Sequence, residues 1–307
     1  MKSSEDHSMT RRNFVRNTAA AVAGMSVCGV SAAYAKDKPK GNAKNAWRMK
    51  LATSSVMFDK LTIEQVCQRT ARLGLGGLDI WAPFTWGGAQ CTHLADVKKR
   101  LGGKGLKALL KKHKLELAAF TIYGHKLSDY SGLIGDFGGG VVVRGAGAGR
   151  AGGKDLAPKM KAFFEKLKPD IELAEKCNAR LAIENHGGSL LSTPDSFKAF
   201  VELNPNKKRV GVAVAPYHLQ SYKTPVEDVI KTAGDQCLFL YAWQRGKSFT
   251  QMPGVGPADF TPWIKALAGF KYAHYSSIFM HGHPPADKME AAVAKSRDYM
   301  LKRRRSI

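Results

Sequence analysis

The sequence is short of acid. Its 307 residues include 25 Asp and Glu against 48 Lys and Arg, a formal net charge of +23. A balance this positive favours anionic partners by attraction without specifying recognition. The basic residues follow helical patterns such as DVKKRLGGKGLKALLKKHK and the terminal LKRRRS, with no aromatics interleaved to stack on bases. The charge therefore reads as a solvated surface, and nucleic acid is not the expected partner. Cysteine is sparse as well. No two cysteines form a C-x-x-C pair, and Cys67 and Cys177 fall inside helical patterns as expected buried thiols. No apolar run is long enough to cross a bilayer comfortably, which takes about 20 residues. No G-x-G-x-x-G follows the first strand pattern, so an open doubly wound sheet lacks its usual dinucleotide fingerprint.

The N-terminus does carry a signal. Arg11 and Arg12 are preceded by Thr10 and followed by Phe14, then by a mildly apolar, Ala-rich run ending in Ala33-Tyr34-Ala35. The paired arginines and the A-x-A ending resemble a twin-arginine export signal over residues 1–35. That pathway carries folded proteins, so the expected location is periplasmic or cell-envelope. Residues 36–46, rich in Lys, Gly and Asn, read as a linker.

From residue 47 to 307 the chain alternates short apolar runs with amphipathic segments. The runs are RMKLATSS, GGLDIWA, LELAAFTIY, GVVVRGA, ARLAIENH, RVGVAVAPYH, CLFLYAWQ and AHYSSIFMHG. Several are apolar almost throughout, as strands covered on both faces must be. Several intervening segments open with Thr or Asp followed by Pro, a helix-start signal. Strand–helix alternation implies a parallel sheet, and eight strands in this length predict a closed (β/α)8 TIM barrel forming a single domain. One crossing is weakly marked. The Gly-rich GDFGGG before the fourth strand leaves no clear helix after the third, and LADVKKRLGGKGLKALLKKH reads as one continuous helix.

In such a barrel, function sits at the carboxyl ends of the strands. RLAIENHGG places Glu184 at the end of an apolar strand, followed by Asn185 and His186. A carboxylate there suits cation binding or proton transfer. His218, Gln244, His281 and His283 end or follow later strands, and Trp81, Tyr241 and Trp243 add aromatic faces there.

IENHGG, the first strand LATSSVMF, LGLGGLDIW and the ends APYHL and SSIFMHG together resemble the xylose isomerase-like barrel family. The resemblance covers the whole chain after the export signal and falls in the sugar phosphate isomerase/epimerase branch. It implies one divalent metal held by Glu, Asp, His and a second Glu from the last four strands, with the two glutamates shuttling a proton through an enediolate. Glu184 matches the first glutamate. The usual D-P-x-H strand end corresponds to Ala215-Pro216-Tyr217-His218, which keeps the histidine and lacks the aspartate. Tyr241 or Ala242 stands where a ligand histidine is usual, and no glutamate lies near Phe279.

Three arrangements follow. A relocated Zn, Mn, Fe or Co ion would use Glu184, His218, Gln244 and His281, with His283 in reserve. A metal-free enzyme would use Glu184, His218 or His281 in catalysis. It would bind substrate with Asn185, His186, Trp81, Tyr241, Trp243 and Gln244. A third arrangement has lost catalysis and only binds carbohydrate. AP endonucleases share the family, but the dense His/Asp/Glu set that holds their three zinc ions is missing. The expected protein is an exported isomerase or epimerase acting on a sugar or keto-sugar next to its carbonyl. A lyase or hydrolase on a sugar derivative is the nearest enzyme alternative. Phosphorylated substrates are not expected, because no Gly-rich phosphate cradle opens a late helix.

Overall fold

Short runs of small and branched residues, apolar on both faces, need a layer of helices outside and a packed column of side chains inside. The computed structural model, which describes residues 47–307, forms them into eight parallel strands. These are β1 (Lys50–Ser54), β2 (Gly77–Trp81), β3 (Glu116–Thr121), β4 (Gly140–Gly145), β5 (Ala179–Glu184), β6 (Val210–Val214), β7 (Cys237–Ala242) and β8 (Tyr275–Ile278). They pair in chain order, and β8 returns to β1 from Lys50↔Tyr275 to Thr53↔Ile278, closing the expected barrel. The export signal and linker read from residues 1–46 lie outside the described residues.

The described helices are α1 (Ile63–Arg72), α2 (His93–Arg100), α3 (Gly102–Lys112), α4 (Ser131–Phe137), α5 (Leu156–Lys176), α6 (Pro194–Leu203), α7 (Pro216–Gln220), α8 (Val226–Ala233), α9 (Thr261–Gly269) and α10 (Ala286–Arg305). Thr62 caps α1 through a reciprocal pair with Gln65, and Thr193 caps α6 in the same way with Ser196. Among the described residues no helix is long and apolar enough to cross a membrane. Cys67, Cys91, Cys177 and Cys237 are all free and buried.

Two local expectations are corrected. The single helix expected through residues 94–113 is two, because Gly102 takes a left-handed φ of +63° and breaks the hydrogen-bond ladder. The crossing from β3 to β4 contains a helix after all. Leu133 and Ile134 bury one side of α4, and Gly138, at φ +106°, ends it by donating its N–H to the carbonyls of Ile134 and Gly135. Low apolar content hid this helix. Close packing of backbone stabilises it, since a Cβ on Gly103 of α3 would sit 2.3 Å from Leu133 O and Phe137 N.

That contact makes a paired prediction. Gly103→Ala should destabilise the barrel by about 1–3 kcal/mol through overpacking. Gly132→Ala, in α4 with nothing within 4 Å of its added methyl, should stabilise it by about 0.5–1 kcal/mol. Urea denaturation of both variants checks the contrast.

Candidate functional site

The carboxyl end of the barrel holds a cavity of about 440 Å3, a size ordinary for small-molecule sites. Its walls come from strand ends and the loops that follow them. β2 and its loop supply Trp81, Phe84 and Trp86, β5 supplies Glu184 and then His186, and β7 supplies Tyr241 and then Trp243. Tyr123, Tyr217, His218, Phe279 and His281 complete it. Trp81 stacks on Phe279 with ring centres 5.5 Å apart, and Tyr217 stacks on Trp243 at 4.3 Å. No lysine or arginine lines the cavity among the described residues, despite the chain's excess of both.

Glu184 is the last residue of β5, paired with Gly145 of β4 and Ala213 of β6. Gly145 leaves room for Tyr123, whose ring would lie 3.0 Å from an added Cβ. No described residue donates a hydrogen bond to the Glu184 carboxyl. Burial pushes this group from its ordinary 4.5 up to about 8, and the charge of Asp79 adds to the rise. His186 and His218 face each other with ring centres 4.0 Å apart. Burial pulls His218 down to about 3 and His281 to about 4, with neighbouring histidines adding in each case. Near neutral pH both of these imidazoles are uncharged.

Three expected site residues are placed elsewhere. Asn185 turns away from the cavity: its Oδ1 accepts from Ala215 N at 2.6 Å and its Nδ2 donates to Ala215 O at 3.1 Å. It thus clamps the end of β6 and the start of α7, the helix that carries His218. Gln244 spends both ends of its amide on a loop, donating to Met252 O at 3.1 Å and accepting from Ala258 N at 2.6 Å. His283 lines a separate cavity beside Pro284 and Pro285, with Nδ1 3.5 Å from Asp59. A third buried amide, Gln251, holds both the N–H and the carbonyl of His281.

This geometry does not supply the donor set of the relocated metal. Gln244 has no free donor atom, and His283 is in another cavity. Among the described residues no group of three or more His, Cys, Asp or Glu is arranged to hold an ion.

One buried acid was not anticipated. Asp79, at the centre of β2, points into the barrel and is fully buried. Ser54 Oγ and Trp81 Nε1 each donate to its Oδ2 at 2.6 Å, and Thr121 Oγ1 donates to Oδ1 at 2.7 Å. Burial outweighs these bonds and pushes it up to about 7. Its one sequence signal was a carboxylate inside an otherwise apolar five-residue strand, on the same face as Trp81.

A closed (β/α)8 barrel with an acid and histidines at its carboxyl mouth defines a class of protein. The particular family follows from a match of residues 67–303 to the model of the xylose isomerase-like TIM barrel, to which this chain belongs. None of the curated proteins matches it. Among solved structures it is similar to an L-ribulose 3-epimerase, with 17% identity, 84% of this chain and 95% of that one covered, and a TM-score of 0.63. It is also similar to the probable 3-DHS dehydratase AsbF of Bacillus anthracis, with 14% identity, coverage of 80% and 97%, and a TM-score of 0.63. A third is the IOLI protein solved with a zinc atom, with 14% identity, coverage of 83% and 98%, and a TM-score of 0.62. At these identities the likeness is one of fold.

The raised Glu184 sets a pH dependence of stability. Between about pH 4.5 and pH 8 the unfolded chain releases a proton that the folded chain keeps, so stability falls as pH rises through that window. Glu184→Gln removes this loss. It should be more stable than the parent by more than about 2 kcal/mol near pH 9 and nearly equal near pH 4.5. Thermal unfolding at the two pH values checks this, and equal midpoints at both would contradict the assignment.

Proposed function

We propose that this chain is an enzyme acting on a neutral sugar or keto-sugar by proton transfer at the carbon next to a carbonyl, in the manner of an isomerase or epimerase. The observation that carries the reading is Glu184. It is a buried carboxyl without a hydrogen-bond donor among the described residues, facing an aromatic-walled cavity beside two paired imidazoles. A carboxyl left unpaired in this way costs stability and suits a base whose proton affinity matches that of its task. In its ionised form Glu184 removes the carbon-bound proton, and the neutral His218 and the Tyr241 hydroxyl face the oxygen on which charge develops. Trp81 and the stacked Tyr217 and Trp243 offer flat surfaces to the ring of the sugar. A mouth without lysine or arginine fits an uncharged substrate better than a phosphorylated one. An epimerase and a dehydratase are named among the structural neighbours, which supports a sugar-modifying reaction. Elimination from the same intermediate would make the chain a lyase instead.

The purified protein, incubated with neutral ketoses and aldoses in D2O, should place deuterium next to the carbonyl and convert one epimer or isomer into the other. Glu184→Gln should lower the rate by about 1,000-fold or more while retaining sugar affinity. Tight binding of sugar without deuterium entry, unaffected by that substitution, would leave a carbohydrate-binding barrel.

We propose also that the protein is exported in its folded state to the cell envelope, a reading supported by Thr10-Arg11-Arg12, Phe14 and Ala33-Tyr34-Ala35. Replacing Arg11 and Arg12 together by Lys should retain the uncleaved precursor in the cytoplasm. Fractionation followed by mass measurement of the N-terminus reads the result.

A further inference from the structure

The family pattern calls for two carboxylates, and Glu184 has no partner acid on the last strand. A second acid nevertheless lies below the cavity floor, joined to it by two hydroxyls. Tyr241, which lines the cavity, has its Oη 3.0 Å from Thr121 Oγ1, and Thr121 Oγ1 lies 2.7 Å from Asp79 Oδ1. The other carboxylate oxygen, Oδ2, already accepts two bonds, from Ser54 and Trp81. Ser54 is itself fixed by Ser277 at 3.0 Å. Asp79 therefore has one oxygen saturated by donors and one facing a hydroxyl that leads to the cavity.

Such a chain has two directions. With Asp79 ionised, Thr121 donates to it and Tyr241 donates to Thr121, so the phenol proton points away from the cavity. With Oδ1 protonated, Asp79 donates to Thr121 and Thr121 donates to Tyr241, which turns the phenol proton outward. We propose that Tyr241 is a catalytic proton donor of the cavity and that Asp79, acting through the Thr121 hydroxyl, holds the proton that Tyr241 delivers and takes it back. The activity side of this proposal rests on the proton-transfer reading above.

The step balances. Glu184 carboxylate takes the carbon-bound proton as the substrate's carbonyl oxygen takes the proton of Tyr241. Thr121 passes its proton to Tyr241, and Asp79 passes its own to Thr121 and is left as carboxylate. Return of the Glu184 proton to carbon runs the chain backwards. The groups facing Asp79 are consistent with one mobile proton. They are Glu184 on β5, Tyr241 on β7 and the thiol of Cys91, which burial pushes up to about 12. No lysine or arginine bonds to Asp79 among the described residues. A purely structural Asp79 would bind the same hydroxyls but would not link its proton to the phenol.

The test needs no substrate. In the full chain labelled with 15N-indole tryptophan and 13Cζ-tyrosine, the Trp81 indole reports Asp79 directly, and the Tyr241 ring reports its hydroxyl. Trp81→Phe and Tyr241→Phe serve only to assign the two signals. Between about pH 5 and pH 9 both signals should titrate with one shared midpoint. In Thr121→Val the Trp81 signal should keep its midpoint while Tyr241 no longer follows it, and Thr121→Ser should restore the shared midpoint. A flat Trp81 signal, a Tyr241 signal that ignores Trp81 in the parent protein, or coupling that survives in Thr121→Val would each overturn the relay. The parent protein alone decides the first two, should a variant fail to fold. Where turnover of a sugar is found, Thr121→Val should lower kcat by about 100-fold with KM changed less than about threefold, and Thr121→Ser should recover most of it. Absence of turnover on every sugar would sink the sugar reading and leave the shared titration standing.

Discussion

The parallel pairing of β1 with β8 leaves the sheet no edge and forces inward side chains from all eight strands into one narrow column. In such a column each residue's neighbours are set by closure, not by distance along the chain. Ser54, Asp79, Thr121, Tyr241 and Ser277 come from five strands and are hydrogen-bonded to one another only because the sheet closes. Barrels usually fill this space with branched aliphatic layers. Here one level is polar: the hydroxyls of Ser54 and Thr121 bond to the Asp79 carboxyl, and those of Ser277 and Tyr241 bond to Ser54 and Thr121 in turn. Burying that group without a cation beside it costs free energy, and its upward shift to about 7 expresses the cost.

Charge is divided sharply between outside and inside. Among the described residues many lysines and arginines lie on the outer helices, where water solvates them and carboxylates pair with some of them, as in the cluster of Arg69 and Arg72 with Glu290. Among the described residues the cavity has none of them. Burial raises Glu184 and lowers His218 and His281, holding these three groups toward their uncharged forms. The same low polarity would strengthen any hydrogen bond made to a ligand there.

Amides and rings hold the last strand ends together. Asn185 clamps Ala215, Gln251 clamps His281, and Gln244 ties down residues 252–258. Trp243 lies between Tyr217 and His281 and packs on both. At Ala215 a side-chain amide thus completes the backbone bonding of the strand end.

The eight strands, their parallel order and the position of Glu184, His218 and His281 near the carboxyl ends were legible in the sequence, because short apolar runs alternating with amphipathic segments permit few other packings. Two helix details were not. The break at Gly102 depends on a backbone dihedral, and α4 depends on how closely Gly103 lets two backbones approach. At the site, residue type named chemical capacity but not direction. Asn185 and Gln244 are polar at strand ends, as binding residues would be, yet hydrogen-bonding geometry turns them into clamps. Asp79 looked like one polar position in a strand, because its hydroxyl partners are 25 and 42 residues away in the chain. Sequence by itself determined which elements form, since that is governed by local periodicity and burial. Tertiary structure alone decided which acids and hydroxyls meet, since contacts across a closed barrel leave no trace in local sequence.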